Sequence, residues 1–314
     1  MNNHRYTLEP YKGNNTRYRC PGCKGKNEFT RYVDLHTQRH IAENVGICNN
    51  TNKCGYHYPP REYFRDNIRQ TTQGKRQEPK QPDIDLKQVK NQEDKISHYH
   101  TDLITKYKTN FYDNKFLNFF SKLLGRNEVN KWIELYNLGT YNKGYLKGST
   151  IFWQVDQNLR VRTGKIMKYD QKTGKRLPKM QNWYHSINNK DNFNLKQVPF
   201  GLHLLRYHKS KKIAIVESEK TACLMSTFMP DFLWLAIGSC QNLTYKMLSE
   251  IKNRDIILFP DAGKYELWRS KIHNLPTSNF YEISDLLHLK STKEEKERDF
   301  DIADYCLSMY LKEV

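Results

Sequence analysis

Cys20-Pro21-Gly22-Cys23 has the spacing of a metal knuckle: two thiolates three positions apart reach one edge of a tetrahedron, and Gly22 permits the tight turn between them. Two partner sets compete for the rest of that tetrahedron. Cys48 and Cys54 complete a four-cysteine zinc ribbon with an unusual five-residue gap, and Gly55 after Cys54 resembles a knuckle glycine. His36 and His40 also fit, because Cys20-x2-Cys23-x12-His36-x3-His40 has the spacing of a two-Cys two-His finger. The finger reading lacks the aromatic expected four residues after the second cysteine, where Asn27 stands, and it leaves Cys48 and Cys54 unexplained. The four-cysteine set is therefore preferred, with His57 in place of one cysteine as a further alternative. An iron–sulfur cluster would use the same four thiols. Cys223, Cys240 and Cys306 read as small buried apolar residues.

A second chemistry lies where apolar runs stop at acids. Ile213-Ala-Ile-Val216 ends at Glu217, and Ile256-Ile-Leu-Phe-Pro260 ends at Asp261. Ligands of open α/β sheets bind beyond the carboxyl ends of parallel strands. Two carboxylates meeting there could hold Mg²⁺ or Mn²⁺ together with substrate phosphates. Taken singly, each acid also suits the start of a following helix. Gly238, ending the strand between them, favours the paired reading.

These acids need a sheet to bring them together, and the chain from Lys211 onward reads as one. Apolar runs at 211–216, 232–237 and 255–260, with a fourth strand at 279–284, alternate with helical stretches, which predicts a parallel sheet with covered faces. Residues 101–140 carry apolar positions near helical spacing, with Asn127 as a possible cap. Residues 145–209 read as short strands with a turn at QKTGKR. Residues 66–100 are polar and Gln/Lys-rich and read as a linker, so His98 and His100 are expected to be linker side chains. The expected organisation is a zinc ribbon over 1–65, a linker over 66–100, a basic helical and mixed-strand α+β subdomain over 101–209, and an α/β domain over 210–314.

Charge separates these regions. The chain has 314 residues and a net charge of +18. Residues 1–200 hold 36 basic and 18 acidic side chains, and 201–314 hold 16 of each, so the whole excess lies in the first two-thirds. Such asymmetry favours a polyanionic partner, because counterion release rewards clustered Lys and Arg. No stretch approaches 18 uncharged apolar residues, so no membrane span is expected. The opening MNNHRYTLEPYKGNN has no apolar segment of a secretory signal, and a cytoplasmic setting with reduced thiols is expected.

The motifs IVESEKTA, LAIGSCQNL and ILFPDAGKYELW together resemble the Toprim domain shared by DnaG-type primases, topoisomerases and some nucleases. The resemblance covers about 205–310. A zinc ribbon, a basic mixed segment and a Toprim core in that order are similar to the zinc-ribbon primase-like proteins of bacterial mobile elements and phages. The resemblance implies a Toprim-like parallel sheet, with Glu217 assisting proton transfer and metal placement and Asp261 as a metal ligand. It implies structural Zn²⁺ at the cysteines and catalytic Mg²⁺ or Mn²⁺ at the acids. By the same analogy Arg160, Arg162, Lys165, Lys168, Lys175 and Arg176 face phosphates, and Trp183 stacks on a base. The sequence departs from the family where Gly263 replaces the second acid of Asp-x-Asp, with Glu266, Asp255 and Asp285 as conceivable substitutes. The expected function is Mg-dependent phosphodiester formation on single-stranded DNA from nucleoside triphosphates, beside a replicative helicase or relaxase. A Toprim nuclease and a non-catalytic DNA-binding scaffold are the alternatives.

Overall fold

The computed structural model describes residues 5–50, 54–64, 96–188 and 193–313. They fall in two compact units, 1–90 and 91–314. In the first, β1 (Tyr6–Leu8), β2 (Phe29–Asp34), β3 (Arg39–His40), β4 (Gly46–Cys48) and β5 (His57–Tyr58) pair antiparallel in the order β1-β2-β4-β5, with β3 on β2. Its core consists of Cys20, Phe29 and Cys48, backed by Tyr18, Cys54 and Tyr56. So few apolar groups cannot hold a fold in water, and such units depend on cross-links or metal.

The second unit begins with α1 (Asp102–Tyr107), α2 (Lys115–Leu124) and α3 (Arg126–Tyr136). Asn114 caps α2 by accepting from the Leu117 amide at 3.2 Å. Asn127 does not cap α3: it lies in the first turn, and Gly125 at φ 91° makes the break. An antiparallel sheet follows in the order β6 (Gly139–Tyr141), β7 (Ser149–Val155), β8 (Val161–Tyr169) and β9 (Arg176–Trp183), then α4 (Tyr184–Asn188). All seven residues of β7 are buried. A strand covered on both faces explains this: Ile151, Trp153 and Val155 join a core with Tyr107 and Tyr184, while Phe152 joins the larger core beneath.

The remainder alternates strand and helix as expected. It comprises β10 (Ile213–Val216), α5 (Glu219–Phe228), β11 (Leu233–Ala236), α6 (Tyr245–Leu248), β12 (Asp255–Leu258), α7 (Tyr265–Arg269), β13 (Phe280–Ile283), α8 (Leu286–Lys290), α9 (Lys293–Glu297) and α10 (Ile302–Glu313). The strands pair in parallel in the order β11-β10-β12-β13. After β10 the chain moves to one side and after β12 to the other, so the switch point of this sheet lies between β10 and β12. One continuous core includes Phe116, Trp132, Phe152, Phe200 and the whole of β10, so position 209/210 is not a boundary between cores. Residues 66–95 of the expected linker lie outside the described residues. Tyr99, at its end, pairs with Val161 through a main-chain bond of 2.8 Å and belongs to the second unit. No helix among the described residues is long and apolar enough to cross a membrane.

A buried ion pair locks the β7–β8 turn. Arg162, 3% exposed, donates from Nε to Asp156 at 2.8 Å, and Asp156 is 0% exposed. The Asn158 and Arg160 amides donate to the other carboxylate oxygen at 2.9 and 3.0 Å. Burial pushes the Asp156 carboxyl up, but the Arg160 and Arg162 donors outweigh it and hold the group below the usual carboxylate range. Asp156→Ala strands a buried guanidinium and is expected to lower stability by about 3 kcal/mol in urea unfolding followed by tryptophan fluorescence. A folded pKa below the unfolded one means that the wild-type contribution is present above the unfolded value and fades as pH falls through the folded one. The stability gap between wild type and variant should therefore close in acid.

Candidate functional site

The four cysteines converge. Sγ of Cys20 is 3.6 Å from that of Cys54, Sγ of Cys23 is 3.9 Å from that of Cys48, and all four lie within 4.8 Å of one another. A tetrahedron with zinc–sulfur bonds of about 2.3 Å has edges of about 3.8 Å, so the thiols fit zinc without rearrangement. Burial pushes the Cys48 thiol up, and the neighbouring Cys20 and Cys54 sulfurs add to the shift, so a cation is what would hold this set as thiolates. A Cβ on Gly22 would lie 3.0 Å from Cys54 Sγ, so close approach of the second knuckle also demands glycine there. The histidines are elsewhere. His40 bonds Glu9 at 2.9 Å, His57 stacks on Tyr32, and His36 is exposed on the β2–β3 turn.

The two acids stand at the ends of neighbouring parallel strands. Glu217 follows β10, and Asp261 lies three residues past β12, so both stand at the carboxyl rim on either side of the switch point. The Gly238 amide donates to the Glu217 carbonyl at 2.7 Å, and Gly238 adopts φ 79° to do so. Glu217 Oε2 is buried without a hydrogen-bond partner. Burial raises the Glu217 pKa, with Lys264 and Lys165 opposing and Asp299 adding to the shift. Asp261 is raised well above the carboxylate range, by burial first, then by Glu217, Asp301, Asp299 and Asp304. Of the charges acting on Asp261, that of Glu217 is the largest. Among the described residues, no three acids bring oxygens as close together as the cysteines bring sulfur.

Lysines ring these acids. Lys165 Nζ, on β8, donates to Glu219 at 3.1 Å and to the Gly238 carbonyl at 3.2 Å. Lys264 Nζ is 3.7 Å from Asp299. Lys271 Nζ donates to the Cys240 carbonyl at 2.8 Å, and burial lowers its pKa against the opposing pull of Cys240 and Glu217. Sequence reasoning missed Glu219, Lys264, Lys271 and Asp299. The only signal was proximity to the motifs, as in Glu219 within VESEKTA and Lys264 beside Gly263. After Glu217, the acids that act on Asp261 come from 299–304 rather than from Glu266, Asp255 or Asp285. Asp255 starts β12, at the other end of the strand, and Glu266 lies on the exposed side of α7 near Arg269. Asp301 and Asp304 are themselves engaged by Thr221 at 2.6 Å and Lys220 at 3.1 Å.

The residues expected to face phosphates separate into two groups. Arg162 and Lys165 are internal, because β8 lies between β7 and β9 and is packed on both faces; one pairs with Asp156, the other with Glu219. Arg160 is 42% exposed and also bonds Asp156. Lys168 donates to the Tyr145 carbonyl at 3.0 Å, and Lys175 and Arg176 are exposed at the β8–β9 turn. Trp183 is half-buried, 6.2 Å from His185.

A family profile described as a domain of unknown function (DUF6371) matches residues 114–262, and one described as a putative zinc beta-ribbon finger matches 4–69. No curated protein matches the chain. Among solved structures, the E. coli primase catalytic core is 13% identical over 68% of this chain and 83% of its own, with a TM-score of 0.41. The primase fragment of the bacteriophage T7 primase-helicase protein is 12% identical over 90% and 98%, at 0.35. A DnaG primase catalytic domain bound to ssDNA is 13% identical over 68% and 84%, at 0.39. These superpositions are loose, and the chemistry has to be read from this chain's own residues.

Metal analysis of purified protein discriminates the ligand sets. Cys48→Ser should lose bound zinc and the cooperative melt of the first unit, whereas His40→Ala should keep both. Zinc retained in the serine variant and lost in the alanine variant would reverse the assignment.

Proposed function

We propose that this chain is a primase-type protein that forms phosphodiester bonds on a single-stranded DNA template, with a Toprim-like acidic site at Glu217 and Asp261. The observation that carries the proposal is that these two acids follow the neighbouring strands β10 and β12 at the switch point of a parallel sheet, with the buried Glu217 Oε2 left without a partner. Pairs of half-buried carboxylates at such a rim suit a divalent cation with phosphate oxygens in its remaining positions. Mg²⁺ or Mn²⁺ held there would neutralise phosphate charge and favour the attacking 3′-hydroxylate. Glu217 and Asp261 would hold the ion. Lys264 and Lys271, whose charges act on the Glu217–Cys240 region, would meet triphosphate oxygens. Lys165 would keep the rim in shape through Glu219 and the Gly238 carbonyl. The half-buried Lys168 and the exposed Lys175 and Arg176, with Trp183, would track the template, and the zinc ribbon would engage it as well. The same reading extends to a mobile-element or phage setting and to a replicative helicase or relaxase as partner.

Gly263 favours a second reading. With no acid at that position and Lys264 beside it, the site offers fewer metal ligands than a complete Asp-x-Asp, and a non-catalytic DNA-binding scaffold becomes the rival. One assay decides among these readings and the nuclease. Labelled single-stranded DNA with Mg²⁺ or Mn²⁺ and all four nucleoside triphosphates should yield primers. Glu217→Gln and Asp261→Asn should each cut synthesis on the order of 100-fold or more while leaving DNA affinity unchanged. Wild-type protein that binds DNA without metal-dependent product supports the scaffold. Template cleavage without nucleotides supports the nuclease.

A further inference from the structure

The amino ends of the parallel strands, opposite the acidic rim, carry a concentration of charge that the proposed chemistry does not use. A cavity of about 560 Å³ opens there between the β7–β8 turn and the segment before β12, lined among others by Gln157, Arg206, Lys209, Lys252, Asn253 and Arg254. Four of these are cations, and no carboxylate lines the cavity. Arg206, Lys209 and Lys252 are exposed, and no ion pair joins them to an acid among the described residues. Arg206 Nη1 donates to the Gln157 carbonyl at 3.5 Å, and Arg254 is held more firmly. Its Nη2 donates to the His208 carbonyl at 2.9 Å and also to the Lys211 carbonyl, so the guanidinium is held half-buried in the wall by main-chain acceptors.

Unpaired like charges in a concave surface repel one another, and field lines focus there. An anion that meets several of them at once relieves the repulsion. A fixed guanidinium adds a pre-oriented fork of donors that loses little entropy on binding. Several cations converging on one concavity match a group with more than one anionic oxygen, which is phosphate rather than a lone carboxylate. We propose that this cavity is a second phosphate-binding site, taking either the backbone of a nucleic-acid strand or the polyphosphate tail of a nucleotide. It is separate from the acidic rim: the intervening strand has four residues, a length of roughly 13 Å. The proposal does not depend on the acids being catalytic.

The test uses full-length protein carrying Arg206→Ala, Lys209→Ala and Lys252→Ala together, with Arg254 retained because it bonds the main chain. Lys252→Glu is a second, single variant in case the triple variant melts earlier than wild type. Two probes are titrated: a fluorescein-labelled oligothymidylate by anisotropy, and sodium tripolyphosphate by calorimetry. Loss of about tenfold or more in oligonucleotide affinity, with a salt slope shallower by about 2 for three cations on a single strand, identifies a strand backbone. A comparable loss confined to tripolyphosphate identifies a nucleotide tail. Both variants matching wild type with both probes would overturn the proposal.

Discussion

The ammonium of Lys165 ties the two sheets of the second unit together. It leaves β8 of the antiparallel sheet, crosses to the carboxyl rim of the parallel one, and ends on Glu219 and the Gly238 carbonyl. Lys165 is 12% exposed and Glu219 2%, so neither charge is comfortable without the other. Removing one partner of such a pair leaves an uncompensated buried charge, which is the costly case, whereas the intact pair contributes little net stability. Its value here is geometric. The bond fixes where the Gly238 turn sits, and the Gly238 amide in turn holds the main chain of Glu217. The rim of the parallel sheet is thus shaped by a residue that precedes it by more than fifty positions.

With Glu219 neutralised, other acids remain at the same rim. Asp261 feels the charge of Glu217, then those of Asp301, Asp299 and Asp304, and Asp299 acts on Glu217 as well. In a folded protein like charges do not crowd without compensation, and part of it is visible. Asp301 and Asp304 bond each other's amides at the start of α10 and take Lys220 and Thr221. What stays uncompensated is the pair at the switch point, where one carboxylate oxygen is buried without a donor. The loop carrying Asp261 is anchored by the Ala262 amide on the Phe300 carbonyl at 2.8 Å, which brings the 299–304 acids to it.

The parallel strands and their terminal acids were legible in the sequence because a strand buried on both faces reads as an apolar run with sharp ends. Ile213–Val216 before Glu217 and Ile256–Pro260 before Asp261 are such runs, and the alternation with helices fixed the sheet type. The four cysteines were legible because thiols are scarce and their spacing is local. Arg162 and Lys165 were not. A strand reading Arg-Val-Arg-Thr-Gly-Lys suggests a solvated basic face, and nothing local reveals that Asp156 and Glu219 wait inside the fold. The 299–304 acids were missed for the opposite reason. They lie some forty residues beyond the motif they approach, and only tertiary packing brings them back.

Once Arg162 and Lys165 are assigned to internal pairs, the basic surplus of the first two-thirds has to be carried by other residues. Two of these cations, Arg176 and Lys179, lie on β9, whose residues 176, 178, 179 and 181 are exposed. β9 is an edge strand, and Arg176, Pro178 and Lys179 are the residue types that keep an exposed edge from pairing with another chain. Charge on this strand therefore has a reason that needs no nucleic acid. The two roles make different demands. Edge protection needs only that charges interrupt the ladder, whereas backbone tracking needs them to add with Lys168 and Lys175 into one continuous field. Scattered substitutions would preserve the first and abolish the second. A basic strand can thus satisfy folding and binding together, which is why net charge alone, however large, does not assign it to either.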